Sequence, residues 1–292
     1  MLSLLLAQAA AAAIMWEDLG LRPGIDLGFF TLRFYALAYL GGIILAYWHM
    51  TKMIKEPGAP LAKRHAEDLF FYCTLGIIIG GRLGYSFFYM PDLWDNPLDV
   101  LKTWEGGMSF HGGLVGVLLA IVWVCRRNNL SFLRVCDYIA VNVPFGMLLG
   151  RLANFVNGEL WGRPTDVSWA MIFPTDTSQL ARHPSQLYQA GLEGLLLVIV
   201  MLFLFWRTRA RFRPGLLVAV FAIGMGIARF VNEFFREPDA QLAEFARETG
   251  LSMGQWLTIP LILVGVGVAV IAITRKPLAS GSAAQPETSE AK

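Results

Sequence analysis

The segment Gly150-Arg151-Leu152-Ala153-Asn154-Phe155-Val156-Asn157-Gly158-Glu159-Leu160-Trp161-Gly162 follows directly on an apolar run from Cys136 to Leu149. An arginine, two asparagines and a glutamate therefore arrive where a membrane helix should be ending. Ionisable groups at membrane depth are costly and mark a functional site by default. The run before them is the fourth of seven, at roughly residues 34–50, 69–90, 110–125, 136–155, 186–206, 215–235 and 254–274. Each approaches the roughly 20 residues needed to cross the hydrocarbon core, the third being the shortest. Backbone groups find no water in that layer, so the runs are expected to be helices. The chain is read as an all-α polytopic membrane protein with seven transmembrane helices. Its composition agrees: 55% hydrophobic, 16% charged and a mean hydropathy of +0.52.

Lysine and arginine in the connections set the expected orientation. Lys52, Lys55, Lys63 and Arg64 follow the first span, Arg126, Arg127 and Arg134 the third, four arginines from Arg207 to Arg213 the fifth, and Arg275, Lys276 and Lys292 the seventh. The opposite side carries half as many: Arg22, Arg33, Lys102, Arg163, Arg182, Arg236 and Arg247. The N-terminus is therefore expected outside and the C-terminus in the cytoplasm. Residues 1–31 are read as an outer-surface segment, 32–276 as the seven-helix catalytic domain and 277–292 as a disordered cytoplasmic tail. The alanine-rich start, residues 2–14, has no basic residue before it, as a cleaved signal peptide would want, and is expected to be retained.

Arg82, Arg151 and Arg229 remain as the basic residues inside predicted spans, all toward the outer side. His111 opens span three from that side, Glu233 follows Arg229 by one turn, and Glu193 lies deeper in span five. Arg151 and Asn154, at i and i+3, share a helical face, and arginine's planar fork of donors suits a phosphate. Pairing of Arg151 with Glu159, or an internal Arg229–Glu233 ion pair, would be purely structural alternatives. His111, between Gly106-Gly107 and Gly112-Gly113, suits either proton transfer or positioning of a loop. Arg82, among Gly81, Gly84, Tyr85 and Tyr89, reads equally as a binding or a packing residue. Tyr35 and Tyr39 have the place of interfacial belt aromatics. Arg182-His183-Pro184-Ser185 reads as the start of a helix, with His183 holding a loop. Gly80-x-x-x-Gly84, Gly112-x-x-x-Gly116 and Gly146-x-x-x-Gly150 are expected helix contacts.

Several classes are disfavoured. A net charge of +2 gives no reason to expect nucleic acid. Cys73, Cys125 and Cys136 show no paired or metal-binding spacing. Serine-hydrolase, zinc-protease and nucleotide-binding motifs are missing from the sequence. A transporter of an anionic lipid or solute would use the same arginines, but no internal repeat supports it. A structural membrane protein would have little use for so many polar groups in its spans.

The signature Gly150 to Gly162 resembles that of the bacterial prolipoprotein diacylglyceryl transferases, G-R-x-[GA]-N-F-x-N-x-E-x-x-G, at every fixed position. Gly107 to Leu114, Arg182 to Tyr188, Glu233 to Gln241 and Ser252 to Gln255 are similar to further family blocks in the same order. The resemblance covers roughly residues 30–275. It implies seven membrane helices with a site open to the outer leaflet of the bacterial inner membrane. It also implies transfer of diacylglycerol from phosphatidylglycerol to the lipobox cysteine of a prolipoprotein signal peptide, forming a thioether and releasing glycerol 1-phosphate. No metal or other cofactor is expected, because the phospholipid carries its own leaving group. Carried over, Arg151, Asn154, Glu159, Arg229, Glu233, His111 and Tyr35 match family positions regarded as catalytic or lipid-binding. The site is therefore read with Arg151, Arg229 and His111 as catalytic and with Tyr35, Arg82, Asn154, Glu159, Gly162 and Glu233 as substrate-binding. Arg151 and Arg229 would clamp the phosphate. Met225, Gln189 and Arg33 depart from residues common in the family, and the loop from Gly162 to Arg182 looks short.

Overall fold

A computed structural model describes residues 13–28, 31–90, 97–102, 107–237 and 248–279. Most of the N-terminal apolar segment, most of the C-terminal tail, Gly106, Arg247 and Pro238 to Gln241 of the fourth family block lie outside these residues. Each of the seven apolar runs coincides with a helix: α1 (Phe34–Met53), α2 (Lys63–Tyr89), α3 (Phe110–Arg127), α4 (Phe132–Val156), α5 (Ser185–Arg207), α6 (Leu216–Asn232) and α7 (Met253–Thr274). Five of them, α2, α3, α4, α5 and α7, are long and apolar enough to cross a membrane, whereas α6 is apolar but shorter. Large side chains such as Phe88, Leu119 and Leu263 stand exposed on these helices. A membrane protein explains that exposure, since lipid is as apolar as they are.

The chain forms two compact units, residues 49–138 with 278–292, and residues 1–48 with 139–277. In the former, Gly76, Gly80 and Gly84 of α2 lie against Gly112 and Gly116 of α3 so closely that a Cβ on any of the five would strike the other backbone. Small residues permit such an approach, and dispersion contacts then hold the pair. Ser109 caps α3 by accepting from Gly112 N at 3.3 Å. In the other unit, α4 approaches α1 where Gly42 meets the Gly146 backbone. A Cβ on either Gly146 or Gly150 would meet nothing within 4 Å, so the close approach here depends on Gly42 rather than on the Gly146-x-x-x-Gly150 pair.

The same unit carries structure that hydrophobic periodicity did not announce. β1 (Ile14–Met15) pairs in parallel with β4 (Met171–Ile172), and β2 (Gly24–Asp26) pairs antiparallel with β3 (Thr31–Arg33). Trp16, Met171 and Phe173 form a small core with Leu21, Phe155 and Trp161 against it. Trp16 Nε1 donates to Phe155 O at 2.8 Å and so fastens this core to the end of α4. The polar signature is held in place from this side.

Candidate active site

The polar signature folds back on its own helix. After Val156 the backbone turns through Gly158, at φ 64°, and Glu159 N donates to Asn154 O at 3.1 Å. That reversal lays the Glu159 carboxylate against the helix it has just left. Asn154 Nδ2 and Asn157 Nδ2 both donate to Glu159 Oε1, at 2.9 and 3.1 Å. The first turn of α5 reads the backbone of the same turn: Gln186 Nε2 donates to Glu159 O at 2.6 Å and Ser185 Oγ to Leu160 O at 3.0 Å.

Gly162 closes the signature for a steric reason. Its N–H donates to His183 O at 2.9 Å, and Arg182 donates to its carbonyl at 3.2 Å. A side chain here would collide with Phe235 O and His183. Arg182 itself is buried, lies 3.8 Å over the Trp161 ring, and pairs with Asp176 and with Glu237 at 3.2 Å. Burial disfavours the Asp176 carboxylate, but bonds from Arg182 and Ser178 outweigh it and hold the carboxyl below its usual pKa range. His183, whose Nδ1 meets Tyr188 Oη at 3.1 Å, is pushed below its usual pKa range by burial, against the pull of Asp166. The loop role expected of His183 agrees with these contacts.

Two arginines meet one carboxylate in this unit. Arg151 NH2 of α4 lies 3.3 Å from Glu193 Oε2, and Arg229 NH1 of α6 lies 3.9 Å from Glu193 Oε1. Asn232 Nδ2 donates to that second oxygen at 3.0 Å. The alternative pairing of Arg151 with Glu159 is not what forms: Glu159 is engaged by the asparagines and Arg151 by Glu193. Arg229 NH2 also contacts Glu233 Oε1 at 2.6 Å, and Arg236 NH1 reaches the same oxygen at 3.4 Å. Glu233 Oε2 accepts from Ser252 Oγ at 2.9 Å. Ser252 is the N-cap of α7 and forms a reciprocal capping box with Gln255. The carboxylate is thus seated at a helix N-terminus, where orphan N–H groups favour negative charge.

Glu193 is fully buried, whereas the Arg151 and Arg229 side chains keep 24% and 21% of their surface. The carboxylate is therefore out of reach, and the partly open arginine side chains are what an approaching anion can meet. Tyr35, in the first turn of α1, shares a 3.1 Å hydroxyl contact with Tyr39 and lies within electrostatic range of Arg151 and Glu159. Arg151, Asn154, Glu159, Gly162, Arg229, Glu233 and Tyr35 all belong to this one unit.

Arg82 and His111 belong to the other unit. Arg82 is buried, and its guanidinium donates to the carbonyls of Val100 at 2.7 Å, Asp99 at 2.7 Å and Gly107 at 3.4 Å. These are backbone acceptors of the single-turn helix Pro97–Leu101 and of the chain leading to α3. Through these bonds Arg82 fastens a loop, which is the packing side of its two readings. His111 is the second residue of α3, exposed, with its ring edge-on to Phe110 at 5.6 Å. Glu193 and Asn232 were not among the expected site residues. Glu193 carried the available signal, a carboxylate inside an apolar run between Gly191 and Gly194.

Among the described residues, no group of three or more His, Cys, Asp or Glu side chains could hold a metal ion. What the arrangement offers is fixed positive charge beside hydrogen-bonding amides. A phosphate is the ligand chemistry it suits.

The family model of prolipoprotein diacylglyceryl transferases matches residues 24–271. The chain is 72% identical over 271 residues to the phosphatidylglycerol–prolipoprotein diacylglyceryl transferase of Erythrobacter litoralis, covering 93% of this chain and 96% of that protein. It is 49% identical over 275 residues to the protein of that name from Zymomonas mobilis, covering 91% of this chain and 95% of the other. A third relative of the same name, from Rhodospirillum rubrum, is 49% identical over 259 residues, covering 87% and 93%.

Proposed function

Because the chain belongs to the prolipoprotein diacylglyceryl transferase family, we propose that it moves diacylglycerol from phosphatidylglycerol to the lipobox cysteine of a prolipoprotein. The observation that carries this reading is the pair of arginines from separate helices, each partly open, converging on one buried carboxylate within the residues 24–271 that the family model matches. All seven helices cross the membrane, with the N-terminus outside, the C-terminus cytoplasmic and the site at the outer leaflet of the bacterial inner membrane. The catalytic domain is residues 32–276.

The reaction is a displacement at the glycerol carbon that carries the phosphate ester. The cysteine thiolate gives its electron pair to that carbon, and the carbon–oxygen bond breaks. Its electrons go to the phosphate oxygen, so a phosphodiester monoanion becomes the more negative phosphomonoester of glycerol 1-phosphate. Arg151 and Arg229 meet that growing charge as fixed donors, an effect that strengthens where water is excluded. Asn154 and Asn157 hold Glu159 through one oxygen, leaving Oε2 to accept a head-group hydroxyl. The thiol, of pKa about 8.5, must lose its proton before attack. His111 is the base we assign to that proton, on the strength of the family block around it, and the arginine field assists by favouring the thiolate.

Incubating the purified protein with phosphatidylglycerol and a lipobox peptide tests the reading. The cysteine peptide should gain the mass of a diacylglyceryl group while a Cys→Ser peptide stays unchanged. No mass gain on the cysteine peptide, with folded protein and accessible lipid, would overturn it.

A further inference from the structure

Glu193 is the residue that the signature and the reaction leave unexplained. It is fully buried on α5, within a π-helical segment, Ala190–Leu196, that interrupts the regular helix. Such segments re-aim side chains and are frequent at functional sites. Gly194 in the same segment lies against Leu148 of α4, where a Cβ would sit 2.7 Å from the Leu148 Cα. That close approach brings α5 to α4 less than one turn before Arg151. Glu193 then reaches Arg151 with one oxygen, and Asn232 and Arg229 with the other.

Stability alone is a weak reason for such a residue. A buried ion pair spends most of its attraction on desolvation, and apolar residues of similar volume often replace one without loss. Charge balance gives a better reason. Arg151 and Arg229 both meet Glu193, and Arg229 and Arg236 both meet Glu233, so removing the Glu193 carboxylate would raise the positive charge beneath the clamp by one. A phosphomonoester carries close to a second negative charge near neutral pH, so the same site holds the released product less well than arginines without Glu193 would.

Resting on the phosphate-clamp reading above, we propose that Glu193 is a positioning residue: it fixes the two guanidinium groups from beneath and cancels one positive charge, so that the phosphomonoester product leaves. Glu193→Gln keeps the shape and removes the charge. Turnover should fall at least about tenfold, the KM for phosphatidylglycerol should not rise, and inhibition by added glycerol 1-phosphate should strengthen at least about tenfold. A purely structural residue would lower thermal stability and leave turnover per folded enzyme and product inhibition within about twofold of the parent, which would overturn the proposal. If Glu193→Gln does not fold, Glu193→Asp takes its place: turnover should fall with product inhibition unchanged, and unchanged turnover would sink the idea. Failure of the clamp reading is separately visible, because Arg151→Ala and Arg229→Ala would then keep their turnover.

Discussion

Gly254→Ala perturbs the site through a residue that does no chemistry. The new Cβ would stand 2.5 Å from Glu233 Cδ and 2.6 and 2.8 Å from its two oxygens. Side-chain carbons do not approach that closely, so the carboxylate must withdraw from the α7 N-terminus. Moving the end of a flexible side chain costs little in strain, but here it also opens the contacts with Arg229 at 2.6 Å and Ser252 at 2.9 Å. A hydrogen bond to a charged group contributes about 1.5–3 kcal/mol, which sets the expected loss of stability. Arg229, less firmly held, shifts from its place, and misplacement by about 1 Å costs on the order of 100-fold in rate, or about 2.7 kcal/mol of barrier. The assay compares turnover per folded enzyme and the thermal midpoint in detergent for Gly254→Ala and for Gly267→Ala. Gly267 lies on the same helix, and its Cβ would meet nothing within 4 Å. Turnover should fall about 10- to 100-fold in the first variant and hold in the second. Indistinguishable variants would refute the claim that the Glu233 seat governs Arg229.

Arg151→Ala or Arg229→Ala should abolish transfer in detergent while the protein remains monodisperse, and near-normal turnover of either would remove the clamp. Stability should decline on acidification in two limbs, because His183 and Asp176 are both held below their usual pKa values. For each, the unfolded chain binds the proton more readily. The His183 contribution is therefore full above about pH 6.5 and is lost as pH falls through its folded value, and the Asp176 contribution is lost below about pH 4. Thermal midpoints across that range test this: His183→Gln should flatten the upper limb, and a midpoint that rises from pH 7 to pH 5 would contradict the assignment.

The helices were legible because lipid imposes a demand that composition must answer. A segment without water to bond its backbone must be helical and apolar along its length, so the runs at 110–125 and 254–274 correspond to Phe110–Arg127 and Met253–Thr274 within a few residues. α2 starts earlier than its apolar run because Lys63, Arg64, Glu67 and Asp68 occupy its first two turns. The strands were not legible, for the opposite reason. Two or three residues are too few to show alternation, and Ile14–Met15 finds its partner, Met171–Ile172, far along the chain. Arg82 illustrates a related gap: glycines and tyrosines around it indicate crowding, but only the path of the chain after Pro97 decides that its donors meet backbone carbonyls.

The site itself was legible where one helical face supplies it and obscure where several helices do. The Arg229–Glu233 pair follows from i,i+4 spacing and does form, whereas Arg151 and Asn154, three residues apart, engage different carboxylates, Glu193 and Glu159. Which carboxylate serves which arginine does not follow from spacing. Glu159 lies nearer to Arg151 in sequence, yet the turn at Gly158 points it back to Asn154, while Glu193, 42 residues away, takes the arginine. That exchange decides the chemistry. With Glu159 as its partner, Arg151 would be neutralised by a half-buried side chain on its open side. With the fully buried Glu193 as its partner, the Arg151 side chain stays partly open, and the same carboxylate ties it to an arginine on another helix. A π-helical segment and a glycine contact with Leu148, neither of which shows in hydrophobic periodicity, make that difference.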